Sequence, residues 1–301
     1  MSLANRAGLS LDGDYTIEQK EAVLGYLLIA PALLLVAGVI VYPVLYNIYL
    51  SFTEVPLSPS QAPVWVGLQH YQTLVSSSEF WAALKTTVIF TFFSDLLATI
   101  GGLGVAILFN RKFRGRRLVR GLMLLPYVAP LIAVAYVWQL LLDPLYGVVP
   151  FLLSDVLGLY SGNLDLLNNA KSALWTVIAF DAWRYFPFAF LMIIARLQAI
   201  PSDMYEAAKI DGAGRIAQFK DITLAELKYV LATVFLLRWI WNFNKFADIW
   251  LLTRKVNTLS LYAYQTAFAN YKQGQAAAIA MVLFVALMGF VLVYVSWILE
   301  W

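Results

Sequence analysis

Six apolar runs, each long enough to cross a bilayer, constrain this chain more than any other feature. A helical span needs roughly 20 mainly apolar residues to cross about 30 Å of hydrocarbon. Runs of that kind occupy 23–52, 83–109, 122–142, 172–195, 229–252 and 275–299. Composition agrees: 61% of the 301 residues are hydrophobic and 13% charged, where soluble domains carry about 25% charged residues. The ten Trp suit a chain whose rings sit at membrane–water interfaces. The expected fold class is an all-α integral membrane protein with six transmembrane helices. The first run is too long for a signal peptide and follows a polar stretch, so it reads as a span. Residues 1–22 are a polar tail with no assigned fold.

Lys and Arg in the connecting segments set the expected orientation. The segment 110–121 (NRKFRGRRLVRG) carries six and 196–228 carries five, whereas 53–82 carries none and 143–171 only Lys171. The segment 253–274 weakens the pattern with Arg254, Lys255 and Lys272. Positive charge stays on the cytoplasmic side, which places both termini and the second and fourth connections there. The basic stretch RKFRGRR then reads as a topology anchor touching anionic lipid rather than a nucleic-acid site. No Cys is present, which excludes disulfides and thiolate chemistry, and the solitary His70 excludes a multi-histidine metal site. His70 reads as a surface or packing residue within WVGLQHY, an apolar turn against the bundle. SDVLGLYSGNLDLL suggests a short helix and turn.

The fourth connection, MYEAAKIDGAGRIAQFKDITLAELK (204–228), is the polar exception between two apolar runs. Pro201 ends the preceding helix and Ser202 is a candidate N-cap for a new one. Asp203 and Glu206 favour its positive end. Ala207 and Ala208 let another surface approach closely, and Gly212 suits a left-handed helix stop. Ile216, Phe219, Ile222 and Thr223 are spaced as one face of a second helix. Physically, such a hairpin can lie on lipid or dock into a groove on a partner.

The spacing decides between them by resemblance. Glu206-Ala207-Ala208, three residues, Gly212, nine residues, Ile222, one residue and Leu224 resemble the EAA–G–I–L loop of ATP-binding-cassette importer permeases. The wider run QAIPSDMYEAAKIDGAGRIAQFKDITL, with WVGLQHY and LLPYVAP, is similar to their carbohydrate-uptake, maltose-permease-like branch, and the likeness runs from about residue 25 to the end. It implies a type I importer permease fold: a first helix and outer loop over 23–79, a permease core over 80–301, and a coupling loop over 201–228. It implies that Glu206, Ala207, Ala208, Gly212, Phe219, Ile222 and Leu224 form or support a coupling helix seated on an ATPase. It also implies the partners: two ATPase subunits carrying ATP and Mg, a second homologous permease forming a heterodimer, and an external solute-binding protein. Two departures stand out. Ala225 and Lys228 occupy places where the family has prolines, which favours a helix running smoothly into the fifth span. The segment TRKVNTLSLYAYQTAF is shorter than the family's glycine-rich equivalent.

Ionisable groups inside spans are costly and tend to face the bundle interior or a watery path. Asp95 lies in the second run; Asp181, Arg184 and Tyr185 lie in the fourth; Arg238, Asn242 and the series Trp241, Asn244, Lys245 and Asp248 lie in the fifth. That series follows i, i+3, i+4, i+7, one helical face, and its aromatic, amide and charged groups suit a sugar. The alternative is that Asp181–Arg184 and Lys245–Asp248 are local ion pairs that help helices pack. Pro31, Pro43, Pro126 and Pro130 are expected to kink their helices. No GxxxxGK[ST] phosphate loop and no catalytic constellation occurs, so the expectation is a non-catalytic permease subunit of an ATP-driven sugar importer in a bacterial or archaeal cell membrane. A permease for glycerol phosphate or another small solute is the alternative. A stand-alone carrier is disfavoured because no inverted repeat is present.

Overall fold

The computed structural model describes residues 17–58, 60–111, 113–159 and 164–298. Most of the polar tail, Lys112 of the basic stretch, part of the SDVLGLYSGNLDLL segment and the last residue of the sixth run lie outside them. Helix α1 (Ile17–Val36) continues through a π-helical turn (Ala37–Val41) into α2 (Tyr42–Ser51). The turn immediately precedes Pro43, which has no N–H to continue the regular ladder. None of the most apolar stretch of this continuous helix is buried within the chain. It stands out as an arm.

Outside the arm, a short ladder pairs β1 (Thr53–Glu54) antiparallel with β2 (Val64–Trp65), Thr53 opposite Trp65. Helix α3 (Gln69–Ser76) brings His70 Nε2 to 3.0 Å from the Thr53 carbonyl oxygen, so His70 is buried as a packing residue. The N-terminus of the last helix crosses directly over this contact. A Cβ on Gly274 would sit 2.6 Å from His70 Nε2, so the crossing needs glycine.

The core is the pairing of α4 (Ser78–Asn110) with α9 (Ala170–Ala199). Their packed faces bury Phe90, Ile178, Phe180, Phe190 and Ile193. Gly102 allows the close approach: a Cβ there would lie 2.6 Å from Ala189 Cβ and 2.7 Å from the Phe190 amide nitrogen. Between them run α5 (Arg116–Leu122), α6 (Leu125–Val128), α7 (Leu131–Leu141) and α8 (Val148–Phe151). At the turn after α7, the amides of Tyr146 and Leu145 donate to the Asp143 carboxylate and hold its pKa below the usual range.

After α9 the chain forms α10 (Ser202–Ile210), α11 (Arg215–Ala217) and a π-helical stretch (Gln218–Leu224) that enters α12 (Ala225–Phe243) without a break. Ala225 takes ordinary helical angles, as expected where no proline interrupts. Helices α13 (Ala247–Leu252), α14 (Leu259–Tyr264) and α15 (Gln273–Ile298) complete the fold.

Two expected spans are broken. The run 122–142 bends by 91° between Val128 and Leu131, where Pro130 removes a backbone donor. The run 229–252 stops at Phe243 and restarts at Ala247. Among the described residues four helices are long and apolar enough to span a membrane: 21–51, α4, α9 and α15. Counting the bent pair as one span gives a fifth.

The α4–α9 contact supplies a test of the packing. Gly102→Ala is expected to cost about 1–3 kcal/mol through overpacking, seen as a lower unfolding midpoint in detergent. Gly104→Ala, with no atom within 4 Å of its would-be Cβ, is the matched control and should change it little.

Candidate functional site

Both helix breaks converge on one buried cluster. Asp95 from α4, Asp181, Arg184 and Tyr185 from α9, Arg238 and Asn242 from α12, Lys245 from the break and Asp248 from α13 meet inside the bundle. Asp95 and Asp181 have no exposed surface and Arg238 is 1% exposed. Three carboxylates face three cations, so the cluster balances formally to zero. Arg238 Nη2 donates to Asp181 Oδ2 at 2.7 Å, and its Nε lies 3.3 Å from Asp95 Oδ1. Lys245 Nζ donates to Asp181 Oδ1 at 2.9 Å and lies 4.0 Å from Asp248 Oδ2. The Tyr185 hydroxyl donates to Asp248 Oδ1 at 3.0 Å, while Lys245 Nζ sits 3.7 Å from the centre of its ring.

Asn242 bridges the two acids that share Arg238. Its Nδ2 donates to Asp95 Oδ1 at 2.7 Å and to Asp181 Oδ2 at 3.0 Å. This amide, one of the polar residues noted in the fifth run, lies off the expected Trp241–Asn244–Lys245–Asp248 face. Arg184 acts differently from the expected local pair with Asp181. Its guanidinium donates to the carbonyls of Pro126 at 3.0 Å and Ala129 at 2.9 Å. Those carbonyls are left open by the 91° bend, so Arg184 caps the broken helix from the side. Its Nε also approaches Asp248 Oδ1 at 4.0 Å.

The expected single face over 241–248 does not form, because the helix ends at Phe243. Lys245 and Asp248 turn inward to the cluster. Trp241, 47% exposed, packs edge-on against Phe188 with ring centroids 5.0 Å apart, and Asn244 is exposed. Trp241 and Asn244 therefore present open surface, whereas Asp95, Asp181, Arg184, Arg238, Lys245 and Asp248 form an internal brace.

The polar hairpin is the second feature. Helix α10 begins at Ser202 with Pro201 at the cap position, so Ser202 is not the N-cap. Its hydroxyl bonds Asp203 instead. Glu206 and Ala207 are exposed and Ala208 half-buried. Gly212 takes φ +82°, and the Ala213 amide donates to the Ala208 carbonyl at 2.8 Å, the 6→1 bond of a Schellman stop. The return limb differs from an α-helical face. The π turns shift the angular phase, so Ile216 is 85% exposed while Ile222 packs on the α4–α9–α12 core and Thr223 is buried. The Tyr205 and Thr223 hydroxyls bond at 2.9 Å across the hairpin, and at its base Arg196 near the end of α9 pairs with Glu226 at the start of α12. Its outer side carries Met204, Ile210, Ile216, Phe219 and Leu224.

A membrane-embedded helical protein with two broken helices braced by buried charge, and an anchored hairpin between its fourth and fifth apolar runs, has type I ABC permease architecture. Crystal structures confirm the fold. A bacterial ABC transporter involved in the import of the acidic polysaccharide alginate matches at TM-score 0.76 and 22% identity, over 91% of this chain and 94% of that one. The chain belongs to the family of binding-protein-dependent transport system inner membrane components, matched over residues 98–300. The inner membrane ABC transporter permease protein YcjO of Escherichia coli is 42% identical over 266 residues, 88% of this chain and 91% of that protein. The trehalose/maltose transport system permease protein MalF of Thermococcus litoralis is 36% identical over 293 residues, 93% of this chain and 95% of that one.

The cluster makes a stability prediction. Asp181→Asn strips the counter-charge from Arg238 and Lys245 together, and breaking a buried pair costs about 3–5 kcal/mol. A marked fall in the unfolding midpoint is expected, with partial recovery in Asp181→Asn/Lys245→Met. An unchanged midpoint in the single variant contradicts the brace.

Proposed function

We propose that this chain is the transmembrane permease subunit of an ATP-driven importer that carries a sugar across a bacterial or archaeal cell membrane. The observation that carries the reading is the hairpin: it is anchored from within by Tyr205, Thr223 and Ile222, while Glu206, Ala207 and the apolar tips stay on the surface. That is the arrangement a docking element requires. Glu206, Ala207, Ala208 and Gly212 form its contact helix, and Phe219, Ile222 and Leu224 its return limb. The membrane subunit hydrolyses nothing itself. Two ATPase subunits bind ATP and Mg, and their closure pushes on the hairpin. Because the π stretch runs unbroken into α12, the push reaches the charge cluster along one continuous rod.

The reading further assigns six spans with both termini cytoplasmic, a second homologous permease beside the α1–α2 arm, and an external solute-binding protein delivering cargo. The cargo class is supported by relatives named for trehalose/maltose and for sulfoquinovosyl glycerol. Trp241 and Asn244, an aromatic plane beside an amide, line the pathway, while the buried charges hold its walls.

Two measurements test this in the importer reconstituted in proteoliposomes. Glu206→Lys is expected to lower ATP-dependent uptake at least tenfold, through loss of a charge-matched contact worth about 1.4 kcal/mol or more, with an unchanged unfolding midpoint. Normal uptake in that variant refutes the assigned role. Asn244→Ala is expected to reduce sugar uptake while ATPase subunits still co-purify. Undiminished uptake removes Asn244 from the pathway.

A further inference from the structure

The segment between α13 and α15 breaks the charge rule that the other connections obey. Residues 253–274 carry Arg254, Lys255 and Lys272 and no acid. The other two segments on that side of the proposed topology are acidic. One carries Glu54 and Glu79; the other carries Asp143, Asp155 and Asp165 against Lys171 alone. Insertion favours basic residues on the cytoplasmic side, so three outward cations need a reason of their own. All three are exposed. Among the described residues none of them has a carboxylate within 4.0 Å.

The fold holds this segment in one shape. The Arg254 guanidinium lies over the Trp250 ring, 3.4 Å from its centre. The Lys255 amide donates to Thr253 Oγ1 at 3.0 Å, and the Thr253 hydroxyl donates to the Leu167 carbonyl at 2.6 Å. At the other end, the π turn after α14 (Gln265–Ala269) is closed by the Lys272 amide, which donates to the Thr266 carbonyl at 2.9 Å. Tyr271 takes φ +55° there, the only non-glycine residue among those described to do so. Glycine is the usual occupant of that left-handed position, and strain of this kind persists where a site uses it. The Tyr271 ring is 63% exposed and Phe268 beside it is exposed too. Among the described residues the Tyr271 hydroxyl makes no hydrogen bond. Lys255 and Asn270 line one cleft together with Glu79, which brings the two ends of the segment side by side.

We infer that Arg254, Lys255, Phe268, Tyr271 and Lys272 form the surface on which an acidic face of the solute-binding protein docks. The inference rests on the importer reading, in which that protein meets this side of the chain. Exposed Arg and Tyr side chains held in fixed positions are what carries binding at protein interfaces, and unpaired charges around them steer the approach. A fluid layer of lipid headgroups needs no tyrosine fixed in a strained turn. Glu79, across the cleft from Lys255, adds a repulsive element. An acidic face is drawn to one side of that boundary and pushed from the other, which sets the partner's rotation as well as its position. The sugar arrives inside the binding protein, and this surface receives the carrier rather than the free solute.

The test titrates the solute-binding protein that supports uptake against the full importer in proteoliposomes of phosphatidylcholine, with or without phosphatidylglycerol. Arg254→Gln/Lys255→Gln/Lys272→Gln is expected to raise the half-saturating concentration of binding protein about tenfold at low salt, with kcat retained. Most of that difference should vanish at about 0.5 M NaCl, where exposed charges are screened. Tyr271→Gly is expected to raise the same concentration several-fold while the unfolding midpoint holds or rises, because glycine relieves the left-handed turn. A fall in the midpoint that accompanies the loss makes Tyr271 a packing residue and overturns its docking role. Unchanged half-saturation in the triple variant overturns the surface and leaves the importer reading standing. A defect seen only with phosphatidylglycerol overturns it in favour of a lipid contact. ATP-driven uptake that needs no binding protein at all overturns the importer reading instead.

Discussion

Everything in this fold answers to the cost of placing charge where water is absent. Three acids and three cations share the middle of the bundle, and each is tolerable only because the others are within reach. The cluster draws on α4, α9, α12, α13 and the break between the last two. It dictates how these helices sit, because no helix can slide or rotate without stranding a charge. The interruptions are part of the same arrangement. Lys245 reaches Asp181 because it stands in the break after Phe243, and Arg184 has carbonyls to cap because the third run bends at Pro130.

The hairpin and the brace stand at opposite ends of one element. The chain from Gln218 to Phe243 is helical throughout, first with π and then with α geometry. One end is anchored beneath Thr223 and Ile222; the other ends beside Asn242 and the acids it bridges. In the importer reading, this geometry turns a push on a surface loop into a displacement at mid-membrane. The α4–α9 pair, locked by the close contact at Gly102, supplies the frame against which such a displacement acts.

Much of this was readable from residues alone, and the failures share a cause. The apolar runs gave the helices of α4, α9 and α15 within a few residues, and the spacing from Glu206 to Leu224 located the hairpin and its left-handed stop at Gly212. The tertiary partners of the polar residues stayed hidden. Sequence neighbours suggested Asp181 with Arg184, yet Asp181 pairs with Arg238 and Lys245 from another helix. Periodicity also assumes an unbroken helix. It placed Lys245 and Asp248 on a face with Trp241, although the interruption after Phe243 turns them inward. The same assumption put Ile216 and Ile222 together, where π turns separate them.

The order in which the chain is made gives the buried cluster a further consequence. Asp95 and Asp181 emerge from the ribosome well before Arg238 and Lys245 exist. Their helices are apolar enough to enter lipid, but their carboxylates have no counter-charge there until the later segments follow. The α4–α9 pair thus carries two buried carboxyl groups whose cationic partners come from a segment made later, which ties its stable packing to the arrival of α12.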